Sequence, residues 1–244
     1  MRIFRNSKCR KNAFSVLNLL LLFAYIKKKQ YLCGVIQTWN ILRSLGNVPV
    51  NTGVLKSLLA GYSNPNAKIK LLVEQGFLVP LKRGLYFVSQ DITQQEPCLG
   101  LIANHLYVPS YVSMHYALWQ YGLIPERVML ITNITTCHAR NFNNSLGSFV
   151  YHNVNRAYFA LGVTSNTEGT SSYAIATPEK ALVDTILFTT KVPNSLVGLG
   201  HFLEEDMRFD IDALHGMNIP LLQAISEIAP KRTVIQNLIT LCQR

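Results

Sequence analysis

The chain has 244 residues, 49% of them hydrophobic, which is enough for one large domain or two modest ones with a genuine core. Its net charge of +10 is unevenly placed: residues 1–90 hold 14 Lys/Arg against one acid, Glu74, while residues 91–244 hold 9 Lys/Arg against 12 acids. Five widely spaced cysteines with no C-x-x-C argue against a disulfide framework and against a zinc site, so reduced thiols in a cytoplasmic protein are expected.

The basic N-terminal part implies a polyanionic partner, either nucleic acid or anionic lipid, although 8 of its 14 cations lie within residues 1–30. Ala13 to Ile26 is a 14-residue apolar run flanked by basic residues. It is short for a membrane-spanning helix, and Lys27-Lys28-Lys29 follows where a signal peptide would carry small residues. Three readings stay open for residues 1–33: a helix added to the domain, an upstream extension from a misjudged start, or a membrane-associating segment. No second methionine precedes Met114, so an internal start would need a different codon.

Residues 34–90 read as three helices and a hairpin. Val35, Ile36, Trp39 and Leu42 recur at helical spacing over Gly34–Leu45, and Gly46-Asn47 ends that helix. Val48 to Val50 is extended. Asn51 or Thr52 caps a second helix through Leu59, with Val54, Leu55, Leu58 and Leu59 expected inward. Asn64-Pro65 opens a third, running to Gln75. Its buried stripe is Ile69, Leu72 and Val73, and its other face carries Asn66, Lys68 and Lys70, residue types suited to base edges and phosphates. A solvated helix face is the plainer alternative. In FLVPLKRGLYFV (77–88), Gly84 supplies a tight turn between two strands and sets Lys82 and Arg83 at the tip. Leu78, Leu81, Tyr86 and Val88 are expected to anchor it. Three helices followed by a hairpin with a cationic tip is the winged helix-turn-helix plan, which places the third helix in the major groove and the tip on the flanking backbone.

Asp91 to Pro97 is polar and reads as a short linker. Residues 98–244 read as an α+β domain with a small sheet. Helices are expected over 98–106, 113–121, 177–188, 220–228 and 232–243, and strands over 127–132, 148–153, 157–163 and 172–176. SNTEGTSS (165–172) reads as a flexible loop. Chemistry is thin there. The six histidines show no H-E-x-x-H and no metal spacing, and the acidic residues 204–206, 210 and 212 fit a solvated surface better than a metal site. Lys180 and Asp184 read as an i,i+4 charge pair following a Thr177 cap rather than a nuclease site. No catalytic residue, metal or cofactor is expected, and the protein is not read as an enzyme.

Three stretches in order, NPNAKIKLLVEQGFLVPLKRGLYFV (64–88), YVPSYVSMHYALWQYGLIPE (107–126) and YAIATPEKALVDTI (173–186), resemble the AbiEi-type antitoxin family, transcriptional regulators of phage-defence toxin–antitoxin modules. The resemblance covers about residues 34–190; residues 1–33 have no counterpart in it, which favours the extension reading. It implies a winged domain that binds operator DNA and represses its own operon. It also implies a C-terminal domain that counteracts a co-encoded nucleotidyltransferase-like toxin, often without a stable complex. On that basis Asn66, Lys68, Lys70, Lys82 and Arg83 would contact DNA, singly or through paired, cooperative binding. Ser113, His115, Tyr116, Tyr121, Glu179, Lys180 and Asp184 would be structural signatures of the C-terminal domain with an antitoxin role. The alternative function is a protein-interaction module whose C-terminal domain holds a partner, with DNA binding incidental.

Overall fold

The computed structural model describes residues 36–244, which are mixed α+β. The apolar run 13–26, Cys9, Cys33 and the expected helix start at 34–35 lie outside them. No helix among the described residues is long and apolar enough to cross a membrane.

Helix α1 occupies residues 36–45. It is followed by β1 (Val50–Asn51), α2 (Thr52–Leu58), α3 (Pro65–Glu74), β2 (Leu78–Lys82) and β3 (Leu85–Val88). The two inner helices start where short polar side chains take up free backbone donors. Asn51 accepts from the Val54 N–H at 2.9 Å, and Asn64 accepts from the Ala67 N–H at 3.1 Å with Pro65 in the first turn. The stretch read as merely extended supplies β1, which pairs with β3 and sets the sheet order β1-β3-β2. Between β2 and β3, Gly84 takes φ +81, the conformation the turn requires. Leu42, Val50, Leu55, Leu59, Ile69, Leu72, Leu78, Val88 and Ile92 close a small core. Val54 and Leu58, expected inward, are 44% and 37% exposed. The short α2 packs on one side only, so just the stripe through Leu55 reaches the core.

The hairpin serves two cores. Successive strand side chains point to opposite faces. Leu78 and Val88 enter the small core, whereas Leu81, Leu85 and Phe87 enter the larger core of the residues that follow. Leu85 and Phe87 were not among the expected anchors, and Tyr86, which was, is only partly buried. The segment read as a linker is packed as well. Its start lies in the short helix α4 (Gln90–Thr93), whose Ile92 is fully buried. Arg43 donates to the Ile92 carbonyl at 3.4 Å, and the Asn47 amide donates to the Glu96 carbonyl at 2.8 Å. One apolar residue in a polar run was enough to fold the connection onto the small core.

The remainder comprises α5 (Leu99–Leu106), β4 (Ser110–Val112), α6 (Met114–Gln120), β5 (Leu130–Thr135), β6 (Arg140–Asn144), β7 (Gly147–Asn153), α7 (Arg156–Phe159), β8 (Val163–Glu168), β9 (Ser171–Ala176), α8 (Pro178–Phe188), α9 (Leu196–His201), α10 (Ile219–Ile228) and α11 (Arg232–Cys242). A six-stranded mixed sheet runs β6-β7-β5-β4-β9-β8. α5 packs on β9 and β4, and α6 packs between α8 and β5. Two expectations fail here. Residues 157–163, read as a strand, begin as the helical turn α7, because Asn155 caps it by accepting from the Tyr158 N–H at 2.8 Å. Residues 165–172, read as a loop, are most of the β8–β9 hairpin, which turns at Gly169 with φ +59. Strands β4 and β6 were not expected.

Candidate nucleic-acid interface

The third helix, α3, presents an outer face of Asn66, Ala67, Lys70, Leu71 and Glu74, while Ile69 and Leu72 are buried beneath. Asn66 is exposed and makes no side-chain hydrogen bond among the described residues. Lys70 lies one turn on, 3.7 Å from Glu74 in an exposed i,i+4 pair. Such a pair is weak in water, so Lys70 is free to exchange Glu74 for another anion. Lys68 is differently placed. It is half-buried and stacks over the Tyr62 ring at 4.9 Å, off the outer face.

At the hairpin tip the two cations separate in role. Arg83 is exposed and makes no hydrogen bond or ion pair among the described residues. Lys82 is also exposed along its stem, but its ammonium donates to the Leu106 carbonyl at 2.6 Å, at the C-terminal end of α5. A cation at a helix C-terminus meets both an unpaired carbonyl and the negative end of the helix dipole. The tip carbonyl of Gly84 accepts from the Thr52 N–H at 2.9 Å and from the Thr52 hydroxyl at 3.2 Å. The Asn144 amide reaches back to the Leu81 carbonyl at 3.3 Å. The tip is therefore pinned from both sides, leaving the Arg83 side chain as its free charge.

The residues of the two C-terminal stretches come together as well. Lys180 and Asp184 form the expected i,i+4 charge pair, Nζ to Oδ1 3.6 Å, and both are fully buried. Helix α8 is apolar on every side around them (Ala181, Leu182, Val183, Ile186), so the i,i+4 spacing operates inside the core. Asp184 accepts from the Ser113 hydroxyl at 2.6 Å, the Tyr158 hydroxyl at 2.5 Å and the Tyr111 hydroxyl at 3.3 Å. Lys180 donates to the Tyr158 carbonyl at 3.0 Å and faces the Tyr158 ring. Gly162, at φ +64, lies against it, since a Cβ there would stand 2.8 Å from the Lys180 Cβ. Burial pushes the Asp184 carboxyl up and the Lys180 ammonium down to about 8, and each partner's charge opposes the other's shift. Both carboxylate oxygens are taken up by internal donors, so the arrangement clamps α8 to β4 and α7. Tyr111 and Tyr158 were not expected in it; they lie 73 and 26 residues from Asp184, beyond any local pattern.

The other signature residues extend this frame. The Tyr121 hydroxyl donates to the Ala176 carbonyl at 2.8 Å, and a Glu179 oxygen accepts from the Asn218 N–H at 2.9 Å. The expected Thr177 cap is present, accepting from the Lys180 N–H at 3.4 Å. Tyr116 is buried edge-on to Trp119, with ring centroids 5.6 Å apart. His115 lines a cleft of about 560 Å³ together with Glu126, Arg127, Thr132 and Asp206, and burial lowers its pKa. Among the described residues no group of three or more His, Cys, Asp or Glu side chains could hold a metal ion. Acidic residues 204–206, 210 and 212 are exposed. No family model and no curated protein matches this chain.

Proposed function

We propose that the chain is a DNA-binding antitoxin and transcriptional autorepressor that acts in the cytoplasm, with a winged helix-turn-helix in residues 36–90 as its reading head. The observation that carries this is the outer face of α3, where Asn66 and Lys70 stand one turn apart, free of the core. Behind it lie the helix–strand–helix–helix–hairpin order and the sheet order β1-β3-β2. Asn66 is suited to a bidentate contact with adenine, and Lys70 to a base edge or phosphate. Arg83 anchors the flanking backbone. The C-terminal frame around Asp184 holds two helices rigidly, and we assign it to the scaffold that meets a co-encoded nucleotidyltransferase-like toxin. This part of the proposal rests on the resemblance of 107–126 and 173–186.

The test is binding of the full-length protein to duplex DNA from upstream of its own gene, against a scrambled duplex, across a salt series. Preference for the upstream DNA together with a steep fall in affinity with salt is the expected result. Asn66→Ala should flatten the sequence preference more than the overall affinity. Equal, weak binding to both duplexes would overturn the reading head and leave the protein-interaction module in its place.

A further inference from the structure

The expected footprint stops at the hairpin, but the fold carries basic chemistry past it. The stretch 127–167 contains three arginines (Arg127, Arg140, Arg156), two histidines and no acid, within a C-terminal unit whose overall balance is acidic. One of these arginines sits next to the hairpin. Phe142, on the sheet's edge strand β6, has Lys82 on it at 6.0 Å and Arg140 at 5.9 Å. Arg140 also lies over the Tyr107 ring at 5.5 Å, and Tyr107 packs tilted against Phe142 with centroids 5.9 Å apart. Two cations from different parts of the chain are thus mounted on one small aromatic platform. Arg140 is exposed, and its guanidinium makes no ion pair among the described residues. Asn141 and Asn143 alternate to the other face of the strand, so Arg140 and Phe142 share theirs without an intervening polar side chain.

Stacking an arginine on aromatic rings fixes its plane and leaves its N–H edge facing outward, which is how a guanidinium is presented to a phosphate. Positive charge held at a rigid position without a carboxylate partner is an anion-recognition feature, and backbone phosphates are the repeating anion that a second cation beside a hairpin tip can reach. We infer that the DNA-binding surface continues from Arg83 across the Lys82–Phe142–Tyr107 platform to Arg140, so that the edge of the C-terminal sheet grips the duplex backbone outside the part bound by the hairpin. This rests on the DNA reading proposed above and deepens it: the C-terminal unit becomes part of the binding surface.

The experiment uses the full-length protein and a random-sequence 30-base-pair duplex. The slope of log affinity against log salt is measured for the wild type, Arg140→Ala, Arg83→Ala and Arg232→Ala. The last removes a surface arginine paired with Glu227 far along the chain. Each lost phosphate contact flattens the slope by about 0.9. Arg140→Ala and Arg83→Ala should each do so, Arg232→Ala should not, and Arg140→Lys should keep most of the wild-type slope. Arg140→Gln, which keeps a polar side chain of similar reach and removes the charge, should flatten the slope as Arg140→Ala does, and an unchanged melting temperature in both variants guards against loss of fold. An unchanged slope in Arg140→Ala and Arg140→Gln, while Arg83→Ala still flattens it, would overturn the extension and leave the hairpin contact standing. No salt-dependent binding by the wild type would remove the DNA reading itself.

Discussion

Asp184→Asn tests the buried clamp most directly. Asp184 has no exposed surface and collects three hydroxyl donors plus the Lys180 ammonium 3.6 Å away. The substitution keeps the shape and removes the charge, stranding an ammonium in the core. Breaking one side of a buried pair costs about 3–5 kcal/mol. A hydroxyl left facing the new amide N–H₂ adds to that, at about 1–3 kcal/mol. For a chain of this length each kcal/mol moves the melting temperature by about 2–4 °C, so a fall on the order of 10 °C is expected. The pH dependence carries the mechanism. Without Asp184 the folded Lys180 pKa falls below about 8, whereas the unfolded chain keeps a pKa of 10.5. Between those values the unfolded state binds more protons, so the variant gains stability as pH rises through that window. Thermal melts of both proteins at pH 7 and pH 9 should show the deficit shrinking at pH 9. A double variant, Lys180→Met with Asp184→Asn, should be more stable than the sum of the two single losses implies. A deficit below about 1 kcal/mol, unchanged between the two pH values, would refute a charged, mutually dependent pair.

Phe87→Ala should cost about 3–5 kcal/mol. Because Phe87 lies on the hairpin shared by both cores, the described residues should still melt in a single transition; an early transition confined to residues 36–90 would contradict the shared wall. Lys82→Ala should lower stability by roughly 1–3 kcal/mol, since a charge-assisted hydrogen bond to the Leu106 carbonyl is lost, with less effect on the DNA salt slope than Arg83→Ala. Equal effects of the two on the slope would show that Lys82 leaves α5 to reach phosphate. His115 should titrate below 6.5, because burial disfavours its charged form. The unfolded chain then takes up the proton first, so this residue's contribution to stability is lost as pH falls from 6.5 through the folded value, and a His115→Gln variant should lose that part of the acid slope. An imidazole proton NMR titration at or above 6.5 would contradict this.

The parts of this fold that could be read from the chain are those where one or two residues decide the backbone locally. Asn64-Pro65 and Thr177-Pro178 start helices where the structure has them, and Gly84 turns the hairpin. Illegible parts depend on partners far away. β6 reads RNFNN and has few apolar residues of its own; it becomes a strand because β7 pairs with it from Arg140 opposite Tyr151 to Asn144 opposite Gly147. Residues 148–153 and 157–163 both read as strands, and only the Asn155 cap distinguishes the helical turn in the second from the strand in the first. Lys180 and Asp184 were visible as a pair, but their burial was signalled only by the apolar residues around them. Among the residues expected on DNA, Asn66, Lys70 and Arg83 share the property of being exposed and uncommitted to the core. Lys68 and Lys82 are already engaged with Tyr62 and Leu106, which their charge alone could not reveal.

The hairpin that belongs to two cores also sets a direction. Both units close over its strands, so the larger unit is carried at the angle that this shared hairpin sets relative to α3. If α3 occupies a groove, that angle becomes a rotational phase around the duplex. Whatever the C-terminal unit carries is then presented on a definite side of the helix axis. Two copies on neighbouring half-sites would face each other at one spacing and turn away when about five base pairs, half a turn, are inserted between the sites. Cooperation between copies should therefore rise and fall with the helical repeat of the DNA, while the affinity of each copy for its own half-site stays constant.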